Sequence, residues 1–280
     1  MERAYSQNRD IRNPLSLEPM EPRRLLAATL DGGLLLIEGT SGDDEINVTL
    51  NDGRVRVSVN GDANSFRLSS VDSLRVYGRR GNDEIRCDLD IKSRIYGGSG
   101  GDTLVGGDLR DKLFGGVGND VLSGGAGADQ LFGDDGLDKL LGRGGEDYLE
   151  GGNHADLLSG GGGNDHARGN DGKDEINGDG GDDSLVGGAG DDRLVGGDGI
   201  DILRGKLGDD LLDGGAGPDI FDRDELDEIE RSAEDYFEDE LEIDLDDIEL
   251  DDLDNIMNEI NDDIDGAIDD AIDDAIDKIF

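Results

Sequence analysis

The sequence predicts an all-β chain. Its middle is a parallel β-roll (a β-helix) of nonapeptide repeats, flanked by a β-rich N-terminal cap and an acidic, partly helical C-terminal tail. Three observations carry this prediction. Glycine recurs every nine residues from Gly97 to Gly214 with no insertion. The sixth place of every unit is aspartate and the eighth is apolar. The 280 residues include 48 glycines, five Tyr, six Phe and no Trp, too little aromatic mass for a broad core. That glycine content is more than twice the usual share of roughly 7%.

Composition divides the chain into four regions. Residues 1–33 hold three of the four prolines (Pro14, Pro19, Pro22) and read as a disordered arm. Residues 34–96 carry strand signals. Leu34–Ile37 is a short apolar run, and Ile46-Asn-Val-Thr-Leu50 and Val55-Arg-Val-Ser-Val59 alternate apolar with polar residues. Asn51-Asp52-Gly53 between the last two is a turn sequence. Residues 97–222 are the repeat array, and residues 223–280 are an acidic tail.

In the array the sixth-place aspartates are Asp102, Asp111, Asp120, Asp129, Asp138, Asp147, Asp156, Asp165, Asp174, Asp183, Asp192, Asp201, Asp210 and Asp219. The fourth place is Gly except at Leu109 and His154. Two expectations follow for each unit. Positions one to six form a turn, since glycines permit positive φ and bare their carbonyls. Positions seven to nine form a short strand with only the eighth residue pointing inward. Two units close one 18-residue coil, so fourteen units make seven coils, roughly 30 Å of stack at about 4.8 Å per strand. Upstream, Gly39-Thr-Ser-Gly-Asp-Asp44 and Gly78-Arg-Arg-Gly-Asn-Asp83 read as degenerate units, with Gly78 one residue off register.

The formal charge is −45, from 71 acidic and 26 basic residues. Such a chain repels itself unless counter-ions neutralise it. It lacks the basic footprint of a nucleic-acid partner and is unsuited to anionic membrane surfaces. Its stacked carboxylates call for cations. Ca²⁺ takes six to eight oxygen ligands, and aspartates plus bared glycine carbonyls match that demand better than the small, water-retaining shell of Mg²⁺. The glycines grouped with the aspartates as oxygen donors are Gly115, Gly118, Gly124, Gly127, Gly160, Gly163, Gly187, Gly190, Gly196 and Gly199. About 12 sites are expected, up to six per side of the roll. Leu109-Arg110, His154-Ala155 and Lys206-Leu207 should spoil their loops, whereas those starting at Gly115, Gly124, Gly160, Gly187 and Gly214 should be the best.

Units such as Gly115-Gly-Val-Gly-Asn-Asp-Val-Leu-Ser123 and Gly187-Gly-Ala-Gly-Asp-Asp-Arg-Leu-Val195 resemble the GGxGxDxUx nonapeptide of RTX (haemolysin-type) calcium-binding proteins. The resemblance spans residues 97–222. It implies calcium held between successive coils by sixth-place aspartates and backbone carbonyls. It also implies a chain that is unfolded at low calcium, folds after secretion, and works extracellularly or at the cell surface. Glu21-Pro22-Arg23-Arg24-Leu25-Leu26-Ala27 resembles the LEPR-xLL segment near the start of planctomycete-type surface and secreted proteins, with Met20 in place of the leading Leu. A disordered arm is the other reading of that segment.

The tail carries 27 acidic and three basic residues, and isoleucine recurs every fourth residue from Ile256 to Ile276. This spacing fits an amphipathic helix, although Asp is a poor interior helix former. Two readings stay open: an acidic tail that needs a partner or Ca²⁺, or a C-terminal type I secretion signal, which Asp277-Lys278-Ile279-Phe280 resembles. Asn261-Asp-Asp263-Ile-Asp265-Gly266 is not an EF-hand, because position 12 would be Ile272 rather than the bidentate Glu.

Chemistry other than ion binding finds little support. Cys87 is the one cysteine, so no internal disulfide and no thiolate zinc site is available. His154 and His166 are the only histidines and both lie in the repeats; HExxH, GxSxG and Walker motifs are absent, which points to a non-enzyme. No run of 18 apolar residues offers a membrane span, and no apolar signal-peptide core precedes Leu25. Two function classes remain: a secreted calcium-binding structural or surface-matrix protein, or an interaction or adhesion module that uses the cap or tail helix, with calcium as a structural ion only.

Overall fold

The structure, a computed structural model, describes residues 28–221 and the backbone of residues 228–229. The LEPR-like segment, the tail helix, the secretion signal and the rejected EF-hand lie outside the described residues.

Strands β1 (Ala28–Asp31) and β2 (Leu34–Glu38) pair as an antiparallel hairpin. The arm expected over residues 1–33 is therefore strand in its last residues. Strands β3 (Glu45–Asn51), β4 (Arg54–Val59) and β5 (Asp62–Arg67) form an antiparallel meander. Asp52 and Gly53 join β3 to β4 with φ of 50° and 71°, the two positive values that a tight two-residue hairpin needs. Strands β6 (Ser73–Arg80), β7 (Glu84–Asp88), β8 (Ser93–Ser99), β9 (Thr103–Val105) and β10 (Lys112–Val117) begin the coil. From β10 a six-residue strand recurs every nine residues, β11 (Val121–Ala126) through β21 (Leu211–Ala216), followed by the short β22 (Ile220–Phe221) and β23 (Glu228–Ile229).

Successive strands alternate between two sheets. One runs β1, β2, β6, β8 and onward through the even strands to β22; the other runs β5, β4, β3, β7, β9 and onward through the odd strands to β23. The pairing of β6 with β8 and of β7 with β9 is parallel at 19 residues, and from β8 and β9 to β22 the parallel step is 18 residues, as in Lys112↔Gln130↔Tyr148. The expected cap strands join the same two sheets as the repeats, so the cap and the roll form one solenoid. Val55, Val57 and Val59 of β4 and Ala28 of β1 are buried at its N-terminal end.

The strands are longer than the repeat suggests. Three-residue strands were expected at positions seven to nine, yet each strand runs through position three of the next unit and leaves only positions four to six as turn. The glycine pair explains this. Position one faces inward and position two takes positive φ, so neither side chain obstructs the ladder, and pairing continues across them as Gly116↔Asp134 and Val117↔Asp135. Between β8 and β21 only β9 keeps the short form, ending at Val105 before the loop that contains Leu109.

The interior follows the eighth position. Leu104, Leu113, Leu122, Leu131, Leu140, Leu149, Leu158, Ala167, Ile176, Leu185, Leu194, Leu203 and Leu212 are buried in two facing columns. On the outer face of the even sheet, Tyr77, Tyr96, Phe114 and Phe132 stack ring on ring with centroids 4.8–4.9 Å apart, and Tyr148 and His166 continue the column. Tyr96, Phe114 and Phe132 lie 18 residues apart, a spacing that marks them as neighbours in sequence terms alone.

Candidate metal centres

The sixth-place aspartates do not line an outer rim. Each closes the turn with its carboxylate folded into the roll, and Asp102 through Asp210 are at most 4% exposed. One oxygen is used structurally. Asp120 Oδ1 accepts from the backbone N–H of Asp102 at 2.7 Å, and Asp138 Oδ1 accepts from that of Asp120 at 2.7 Å. The same bond repeats to Asp156, Asp174, Asp192 and Asp210 on that edge. On the other edge it runs from Asp111 through Asp129, Asp147, Asp165, Asp183, Asp201 and Asp219. Two ladders result, one per edge, with rungs 18 residues apart.

The second oxygen is the one that matters for an ion. Oδ2 of every array aspartate except Asp111 is shielded from solvent and has no hydrogen-bond donor. It lies against the position-one glycine, where a carbonyl oxygen of the next coil also comes close. A methyl group built on Gly115 would touch Asp120 Oδ2 and lie 2.8 Å from the Gly133 carbonyl oxygen. Gly187, Asp192 and the Gly205 carbonyl repeat this arrangement, as do Gly196, Asp201 and the Gly214 carbonyl. Gly124 and Gly160 likewise sit against Asp129 and Asp165. Converging oxygens with no proton donor between them are the donor set of a hard cation. Among the described residues no three His, Cys, Asp or Glu side chains converge, so any bound cation takes backbone carbonyls beside its carboxylate. Cys87 is buried and its thiol is pushed up by desolvation, which removes it as a thiolate ligand.

The remaining glycines in the expected set, Gly118, Gly127, Gly163, Gly190 and Gly199, occupy position four. There they stack on one another rather than on the carboxylates. A methyl on Gly118, Gly163, Gly190 or Gly199 would run into the position-four carbonyl of the preceding coil, and one on Gly127 would meet the Leu109 backbone.

Electrostatics agree with the packing. Desolvation raises the carboxyls of Asp120, Asp129, Asp156, Asp165 and Asp192 to about 7, with neighbouring ladder aspartates adding to the rise. Asp174 and Asp183 rise to about 6. Asp102, Asp111, Asp138, Asp147, Asp201 and Asp210 are also raised, chiefly by burial.

Not all rungs are alike. Asp111 has both oxygens satisfied, Oδ1 by Ser93 N–H and Oδ2 by Gly107 N–H, each at 2.7 Å. The Leu109-Arg110 loop thus folds its carboxylate onto its own backbone. His154 takes φ of 81° at position four and Lys206 φ of 89° at position two, so these loops keep the repeat backbone at the cost of strain, and Asp156 and Asp210 keep a free Oδ2. The ladder also extends beyond the array. Asp83 N–H donates to Asp102 Oδ1 and Asp44 N–H to Asp83 Oδ1, both at 2.8 Å. Asp83 keeps an unpartnered Oδ2, whereas Asp44 is satisfied by Thr40 and Asn60. The 19-residue step from Gly78 to Gly97 is absorbed before Ser93, where Cys87, Leu89 and Ile91 close the coil with apolar side chains in place of a glycine turn.

A parallel solenoid closed over two columns of buried, half-satisfied aspartates has the carboxylate arrangement that suits a metal-binding repeat roll. Its repeats are of a known kind: residues 96–131, 132–167, 159–194, 168–203 and 195–225 match the family model of the RTX calcium-binding nonapeptide repeat, which spans four copies. Residues 96–225 thus carry repeats of the RTX calcium-binding type, and this match together with the roll supports calcium binding with a structural role. A search of curated proteins with the whole chain gave no match.

Proposed function

We propose that this chain is a secreted, non-enzymatic calcium-binding protein whose roll folds as calcium binds and which serves a structural or surface-associated role outside the cell. The observation that carries the reading is the pair of buried Oδ2 columns, with carboxyls raised toward neutrality and glycine carbonyl oxygens close by. Without a cation these groups oppose the fold, because buried charge without a partner is costly. With Ca²⁺ they become ligands, and binding free energy becomes folding free energy. The ligands would be the thirteen array aspartates with a free Oδ2 together with the position-one glycine carbonyls, for on the order of 12 ions.

Circular dichroism against calcium, with EGTA and Mg²⁺ as controls, tests this. The expected result is little β-structure in EGTA, cooperative gain of β-structure with Ca²⁺ and a much weaker response to Mg²⁺. A chain fully folded in EGTA at neutral pH would overturn the coupling of folding to calcium. Export is tested separately by deleting residues 223–280: intracellular retention supports a secretion signal there, and unchanged export removes it.

A further inference from the structure

The outer face of the even sheet reverses the charge of the molecule at one place. Position-seven residues stack along the roll, and near the N-terminal end that column reads Arg75↔Arg94↔Lys112 in paired register. Lys92 and Arg110 stand beside it on the preceding turns. These five cations line one cleft of about 380 Å³ together with Leu34, Leu74, Ser73 and Ser93, and no carboxylate is among its described lining residues. None of the five forms an ion pair with a described residue. Arg75 Nε is shielded from solvent and has no hydrogen-bond acceptor. A buried guanidinium donor without a partner is costly, and no described residue supplies one for Arg75 Nε. Arg110 does act on the nearby Asp129 carboxyl, holding it lower than burial alone would, but Asp129 lies inside the roll.

The cleft also explains the odd repeat. In the unit beginning at Gly106, Asp111 is tied to Ser93 and Gly107 by backbone bonds and the turn offers Arg110 outward. One coil earlier Ser93 stands where a ladder aspartate would, preceded by Lys92. This edge exchanges an anionic, cation-seeking turn for a cationic one.

We propose that this cleft is an anion-binding site for a compact, multiply charged oxyanion carried on a sugar-sized ligand, in the class of sulfated or phosphorylated saccharides. Arginine forks suit sulfate and phosphate oxygens, and the volume is that of a small-ligand site. The acidic remainder of the molecule repels long polyanions, which favours a small ligand over a polymer.

The test is calorimetric titration of the full chain in millimolar calcium with glucose 6-sulfate, a probe that leaves the calcium in solution. Saturable binding at one site is expected, weakened by added salt. The pair Arg75→Gln and Arg94→Gln should weaken it at least tenfold, and Arg193→Gln on the opposite sheet should leave it unchanged. Circular dichroism in calcium shows whether each variant is folded. Should the first pair misfold, Lys92→Gln with Arg110→Gln, both on turns, is read instead and should lose several-fold. No saturable binding by the wild type, or equal binding by a folded cleft variant, overturns the site. Binding of heparin or single-stranded DNA that strengthens with polymer length and outcompetes the probe overturns the compact ligand.

Discussion

Each array aspartate except Asp111 divides its labour between two oxygens: Oδ1 accepts from the neighbouring coil and Oδ2 is buried without a donor. Asp120→Asn separates these roles, because an amide retains an acceptor for Asp102 N–H but lacks the charge. It should stabilise the cation-free fold and weaken the calcium-loaded one by about 1.5–3 kcal/mol, the worth of a contact to a charged group; melts in EGTA and in calcium would show opposite signs. Asp111→Asn, whose Oδ2 already has a backbone donor, should leave calcium stoichiometry by equilibrium dialysis unchanged. The raised carboxyls set a pH dependence as well. Asp120 and Asp165 titrate near 7 in the cation-free fold against an ordinary value of 3.8, so between these limits the folded state holds more protons than the unfolded one. Their contribution is full below about pH 4 and is lost as pH rises through 7. Acidification in EGTA should therefore restore β-structure, while the calcium midpoint rises as protons compete. A cation-free chain that loses structure on mild acidification would contradict the ladder. The sixth-place aspartates were legible from the period alone. Their inward orientation was not, because the usual expectation for a charged side chain in a turn is solvent.

At the scale of the strand and turn, the glycines carry unequal loads. Gly118 has φ of 133° and its missing side chain would strike the Gly100 carbonyl, whereas Gly144 has open space around it. Gly118→Ala should cost about 1–3 kcal/mol and Gly144→Ala should stay within about 0.5 kcal/mol, as read from thermal melts in saturating calcium. The eighth-place leucines announced the inward face of each strand, and alternation in Ile46–Leu50 and Val55–Val59 announced the hairpin. Strand length was hidden because a Gly-Gly pair reads as a turn in an isolated segment. Only stacking in register lets it continue a ladder. The Asp83 rung was obscured by the 19-residue step, which breaks the period at the point where Cys87, Leu89 and Ile91 replace a glycine loop.

For the whole molecule, stability accumulates coil by coil, because each coil touches only its neighbours. Deleting residues 169–186 removes one full coil and joins Arg168 to Gly187 in phase. The product should fold cooperatively in calcium with a lower calcium stoichiometry and an unchanged outer aromatic column, measured by circular dichroism and equilibrium dialysis. Net charge was a sound guide to the cation-seeking interior and a poor one to the surface. A formal −45 conceals Arg75, Arg94 and Lys112, which become neighbours only when residues 18 or 19 apart are stacked. The column of Tyr77, Tyr96, Phe114 and Phe132 arises in the same way, with rings 4.8–4.9 Å apart across three coil-to-coil steps. In an extended chain those rings are far from one another, and the protein has no tryptophan to mask them. Winding the first coils thus brings four chromophores into electronic contact. The chain contains its own optical gauge of coil closure, readable as near-ultraviolet dichroism and altered tyrosine emission without any attached label.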